Sequence, residues 1–149
     1  MKIKIQKPIL AGIIGTAIMT IVMMIAPMMG LPKMSPPEML SGMLGTPIFF
    51  GWIMHFMIGI VFAFAYTYLC TFLWKISNVY VRGAVFGIIV FVFAQIMMAI
   101  IEIIMPFPKM EGSMMLTMVG SLIGHIIFGM AVSKTVDNAY STDKLNKTI

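Results

Sequence analysis

The chain alternates long apolar runs with short polar punctuation. Four runs, at about residues 8 to 29, 48 to 73, 81 to 105 and 114 to 135, carry almost no charge. Each matches or exceeds the roughly 20 residues an α-helix needs to cross about 30 Å of hydrocarbon. They are apolar on every side and rich in Gly, Ala and Met, whereas strands of a membrane barrel alternate apolar and polar residues. Only helices and closed barrels satisfy their backbone hydrogen bonds within lipid. The pattern therefore predicts an all-α membrane protein with four transmembrane helices, residues 1–149 forming a single membrane domain.

The runs come in matched pairs. Leu31-Pro-Lys-Met34 is answered by Phe107-Pro-Lys-Met110, His55-Phe-Met-Ile-Gly59 by His125-Ile-Ile-Phe-Gly129, and Ala11-Gly-Ile-Ile-Gly15 by Gly83-Ala-Val-Phe-Gly87. This predicts two tandem helical hairpins, over 8–74 and 80–135, followed by a cytoplasmic tail over 136–149. A hairpin crosses the membrane twice, so the second copy enters from the same side as the first. The repeat is then parallel, with its pseudo-twofold along the membrane normal. The last of the three pairs has the spacing of small-residue seams that let helices approach closely. The first hairpin alone carries Ser35-Pro-Pro-Glu38, an N-cap with proline at the first helical position, which predicts a short interfacial helix near 36–44. Gly45-Thr-Pro47 then breaks the chain, and Ser113 is placed to cap the fourth helix. Trp52 and Trp74 are 22 residues apart, about 33 Å along a continuous helix, suiting two interfacial anchors.

Composition adds little room for anything else: 149 residues are 60% hydrophobic and 10% charged, with mean hydropathy +1.03. Charge placement gives orientation. Lys2, Lys4, Lys7, Lys75, Arg82, Lys134, Lys144 and Lys147 fall at the two ends and the middle loop, with only Lys33 and Lys109 opposite. The positive-inside rule puts both termini in the cytoplasm. Topology and anionic lipid account for the net charge of +5, so nucleic acid is not an expected partner. The basic N-terminus before an apolar run imitates a signal peptide, but the repeat makes this helix a member of the bundle. A single cysteine, Cys70, sets no disulfide framework.

The duplication gives the two histidines weight, because symmetry mates lie at similar depth on opposite sides of the axis. Hydrocarbon favours neutral imidazole, the form that binds metals. Gly51 and Gly59 flank His55 by one turn, and Ser121 and Gly129 flank His125. That pattern resembles the helices that carry haem in b-type membrane cytochromes, which implies haem b lying against those small residues. Adjacent helices about 8 to 10 Å apart suit a bare ion; diagonal helices, roughly 11 to 14 Å apart, admit a porphyrin. The competing expectation is that each histidine donates to a carbonyl or a threonine and only holds helices together. Thr16 and Thr20 are expected to be packing hydroxyls.

Methionine is sorted by depth. Of 19, all but Met1 and Met130 lie in residues 19–57 and 97–118. Met110, Met114 and Met118 fall at helical spacing, as do Met39 with Met43 and Met19 with Met23; thioethers beside imidazoles favour Cu(I). The ladder looks like the Met-xxx-Met of copper transporters, which the remainder of the chain does not match. The bland alternative is that methionine simply packs well. Glu102, the one carboxylate within an apolar span, is a functional candidate by cost alone. Turned inward it completes a two-histidine, one-carboxylate metal site; turned outward it meets water or Lys109. Walker loop, dinucleotide fingerprint, nucleophile elbow and paired cysteines are all missing from the sequence, which argues against an enzyme acting by itself.

The segments Met28-Met-Gly-Leu-Pro-Lys-Met34 and Gly51-Trp-Ile-Met-His-Phe-Met-Ile-Gly59 resemble a group of small bacterial four-helix integral membrane proteins with no assigned activity. The resemblance implies fold and location and transfers no chemistry. Three functions remain open at this point: a haem or copper protein using the histidine pair; a structural or accessory subunit packing a membrane partner or a second copy; and a small transporter with Gln95 and Glu102 on a polar path.

Overall fold

Five α-helices and two short 3-10 turns make up the computed structural model, which describes residues 5–68, 70–104 and 113–145. Four helices are long and apolar enough to cross a membrane: α1 (Gln6–Ile25), α3 (Ile48–Tyr68), α4 (Val79–Ile104) and α5 (Met114–Leu145). Their outward faces carry Met24, Val61, Ile96 and Ile103, all exposed, a surface far more apolar than a water-soluble protein presents. The described residues contain no strand.

Local chemistry explains the breaks. Pro27 sits in the 3-10 turn Ala26–Met29, which extends α1 and ends on Gly30 at φ +83°. α2 (Pro36–Leu44) is the short helix expected from the Ser35 signal: the Ser35 hydroxyl accepts the Glu38 N–H at 3.4 Å. Gly45 at φ +60° closes α2, a left-handed conformation that a Cβ makes costly.

Two boundaries differ from expectation. The second apolar run stops being helical at Tyr68, where Cys70 N–H returns to Ala65 C=O at 3.0 Å. Trp74 lies in the 3-10 turn Thr71–Lys75 instead of on the helix. It folds back beside Tyr66, ring centroids 6.2 Å apart, and under the Arg82 guanidinium at 4.9 Å. The pair of tryptophan anchors at the two ends of one helix is therefore not formed. The second difference is at the far end, where α5 continues past residue 135 to Leu145, so the predicted tail is largely helix. Lys7 Nζ donates to Ala139 C=O at 2.7 Å and ties this extension to the start of α1.

The long helices pack in the order α3, α1, α5, α4, with α2 against α3. α3 and α5 meet briefly across the centre; α3 and α4 hardly approach. Missing side chains make the close contacts. Gly12 of α1 lies on Ile60 of α3, and Gly59 of α3 on Thr16. In the other hairpin Gly83 of α4 lies on Gly129 and Met130 of α5, and Gly87 on His125 and Ile126. Any Cβ there would strike mostly backbone, which cannot turn away. The seam of α1 is one residue off the expected Ala11/Gly15 pair: Gly12 and Thr16 face α3, while Gly15 meets Phe128 and Val132 of α5. Successive residues are about 100° apart around a helix, and α1 needs two adjoining faces because it has two neighbours.

At the end where α1 begins, a buried polar cluster joins three helices. The Ser133 hydroxyl donates to Val79 C=O at 2.9 Å and accepts from Arg82 Nε at 3.3 Å. With its proton committed, it must also accept from Tyr66 Oη, at 2.7 Å. Arg82 completes the cluster with an ion pair to Asp137 at 2.9 Å.

Candidate functional site

His55 is buried and His125 half-buried, and hydrogen bonds fix which nitrogen of each carries the proton. Thr20 Oγ1 donates to Thr16 C=O at 2.8 Å, the usual one-turn bond of a helical threonine. Its proton is thereby used, so at 2.9 Å from His55 Nε2 it can only accept. His55 therefore carries its proton on Nε2. On α5 the Ser121 carbonyl, an acceptor only, lies 2.7 Å from His125 Nδ1, which must donate; the Ser121 hydroxyl adds a longer contact at 3.4 Å. The remaining nitrogens, His55 Nδ1 and His125 Nε2, have no hydrogen bond to any described residue.

One histidine does act across helices, joining α3 to α1, while the other bonds only within α5. Edge-on contact with Phe91 of α4, at 5.8 Å between centroids, holds the His125 ring. The two rings are thus held by unlike neighbours, Thr20 for His55 and Phe91 for His125.

The small residues around the histidines have other work. The room beside Gly51 is taken by the Pro37 carbonyl of α2, that beside Gly59 by Thr16, and that beside Gly129 by the backbone of α4 at Gly83 and Gly87. These hollows are filled by protein and offer no slot for a flat macrocycle. Ser121 is the exception among the expected cofactor contacts, engaged directly with His125.

The expected methionine ladder does not enter the site. Met114 and Met118 are exposed, and Met110 lies outside the described residues. Buried thioethers come from elsewhere: Met19, Met23 and Met34 are each less than 8% exposed. Met19 and Met23 reach into the hollow at Gly124, the residue before His125, with Met23 Sδ 3.1 Å from where a Cβ would stand. Met34 fills the hollow at Gly120 one turn away. Thr20 and Met19 are neighbours on α1, so the same turn serves His55 on one side and the Gly124 hollow on the other. The Met19/Met23 spacing marked a shared face; what it lacked was the glycine opposite, the signal that separates inward from outward.

Glu102 is exposed, and no three His, Cys, Asp or Glu side chains gather closely enough to hold a metal among the described residues. The two-histidine, one-carboxylate arrangement is thus not formed. The inward stripe of α4 runs through Gly83, Phe86, Gly87 and Val90; at about 100° per residue, Glu102 is roughly 120° round the helix from Val90. Gln95 is half-buried. Thr16 has its Oγ1 buried without a hydrogen-bond partner, pressed against Gly59.

No curated protein and no solved structure matches this chain. One family does, across nearly all of it. Residues 3–146 match its sequence pattern, and the chain thereby belongs to the family of unknown function DUF6789.

Proposed function

We propose that this is a membrane-embedded metal-binding protein that holds a soft monovalent cation, Cu(I), between α1, α3 and α5. The ligands in this reading are His55 Nδ1 and His125 Nε2, with the Met19 and Met23 thioethers beside them. The observation that carries it is the pair of fixed tautomers. Metal-bound imidazoles characteristically donate their other N–H to a protein oxygen, which orients the ring and raises its basicity. Here each histidine does so, His55 to Thr20 and His125 to Ser121, and each keeps one nitrogen bare. Neutral nitrogen and thioether donors suit Cu(I) better than harder ions. Haem is the weaker ligand for this site, because protein fills the glycine hollows it needs.

The reading includes a bacterial inner-membrane location with both termini cytoplasmic, supported by the concentration of lysines at that end. It also takes the hairpins as copies of one unit. Support comes from matching contacts 71 or 70 residues apart: Gly12 with Ile60 against Gly83 with Met130, and Thr20 with His55 against Phe91 with His125.

The test is anaerobic Cu(I) titration of detergent-purified protein in competition with bicinchoninate, followed by X-ray absorption at the copper edge. One copper per chain with nitrogen and sulfur neighbours is expected, lost in His55→Ala and His125→Ala and retained in Glu102→Ala. Binding no tighter than the chelator's, or undisturbed by both histidine substitutions, overturns the proposal.

A further inference from the structure

A cleft of about 600 Å³ runs between α3 and α4, within the range of ligand pockets. It exists because one edge of the bundle does not close. In the α1–α5 edge, Met23 fits the hollow at Gly124, immediately before His125. On α3 the residue before His55 is Met54, and Met54 lines the cleft. Where Gly124 gives room for Met23 between α1 and α5, Met54 at the matching position lines the gap between α3 and α4. Phe86 of the wall packs edge-on to Tyr66 at 4.9 Å, with Trp74 beside Tyr66 at 6.2 Å. Phe62 and Phe93 touch across it at 5.7 Å.

We infer that this cleft takes an acyl chain of an anionic phospholipid, with the headgroup at the Lys75 end. Three observations choose this occupant. The lining is hydrocarbon and aromatic, and burial pushes the Cys70 thiol at its base above its ordinary value, keeping that group neutral. The wall has no glycine and a single alanine, Ala65, among the bulk of Met57, Phe62 and Phe93, whereas a docking transmembrane helix needs a stripe of small residues to come close. A flexible chain follows such a wall and a rigid helix does not. Finally, Cys70 leads directly into the turn Thr71–Lys75, so the base of the cleft adjoins exposed Lys75. The described cations at this end are Lys7, Lys75, Arg82 and Lys134, against Asp137, which Arg82 already engages. Basic groups between helices at such a level recruit anionic headgroups.

Trp74 stands behind the base of the cleft and reports on it. In Trp52→Phe it is the sole tryptophan. This variant is reconstituted into phosphatidylcholine vesicles containing a minor fraction of either phosphatidylglycerol or phosphatidylcholine with brominated acyl chains, and Trp74 quenching is compared. Brominated phosphatidylglycerol is expected to quench at about fivefold lower mole fraction, the preference one lysine confers at a membrane surface. Lys75→Gln should abolish the preference. Val61→Phe, at an exposed position on the cleft wall, should reduce quenching by both lipids with unchanged helical circular dichroism. Equal quenching by the two lipids in the parent, quenching untouched by Val61→Phe, or a Trp74 shielded from both lipids by a second copy or another protein overturns the inference.

Discussion

Replacing Thr20 by valine tests the site through one atom. Thr20 is 6% exposed, and its hydroxyl is the acceptor for His55 Nε2–H at 2.9 Å. Valine keeps the shape, including the branch at Cβ, and removes only that oxygen. An unmatched buried N–H costs about 1–3 kcal/mol in a water-soluble protein. Interhelical bonds inside membranes average about 0.6 and reach about 1.7, because the unfolded chain in lipid also finds partners. The expected loss of stability is therefore about 1 kcal/mol, read from the midpoint of reversible unfolding in mixed micelles with dodecyl sulfate. The effect on metal is larger. With no oxygen holding the proton on Nε2, the imidazole is free to change tautomer and rotate. Losses of orienting groups around metal-bound histidines cost about 10–100-fold in affinity. Chelator competition should show that weakening for Thr20→Val and near-parental binding for Thr20→Ser, which keeps the hydroxyl. Unchanged Cu(I) affinity in a folded Thr20→Val protein refutes the argument that His55 binds through Nδ1 with Nε2–H held by Thr20.

The glycines give paired tests. Gly87→Ala places a methyl against the His125 carbonyl and the Ile126 backbone, and should destabilise by about 1–3 kcal/mol as the helices part. Gly42→Ala, in α2 with open space around it, should stabilise by about 0.5–1 kcal/mol; both are read by unfolding in mixed micelles. Ser133→Ala deprives Tyr66 Oη and Arg82 Nε of their acceptor and should cost about 1–3 kcal/mol in the same assay. Cys70 offers a pH test. Its thiol is raised by burial, and the thiolate is the reactive form, so the native protein should be alkylated by iodoacetamide more slowly than the unfolded chain at pH 8. The two rates should converge as pH rises through the native value; equal rates at pH 8 count against the buried placement.

The spans and the α2 cap were readable because each rests on local chemistry: uniform apolarity over twenty residues, Ser35 before two prolines, Gly45 at the stop. Which way a residue faces was harder. Met110, Met114 and Met118 have the same spacing as Met19 and Met23, yet Met114 and Met118 face outward and the α1 pair inward. In a helix that is apolar all round, periodicity defines a stripe without telling which stripe meets protein. The Arg82 network was hidden for a related reason. Arg82 looked like an orienting surface charge, but Ser133 and Asp137, one turn apart on α5, supply it with partners and make its burial affordable. Trp74 is not on the helix predicted for it because nothing local to Tyr68 signals a stop; its ring instead lies between Tyr66 and Arg82, each eight residues away.

The seams also say how such a chain can be assembled. Each hairpin closes on itself through glycine, α3 on α1 and α5 on α4, and the halves meet along α1 and α5. Severing the connection near Ser77 should leave two separately inserted fragments that find each other in the bilayer and co-purify. If so, the loop is a convenience of synthesis, and thioethers lodged in glycine hollows are what marry the halves.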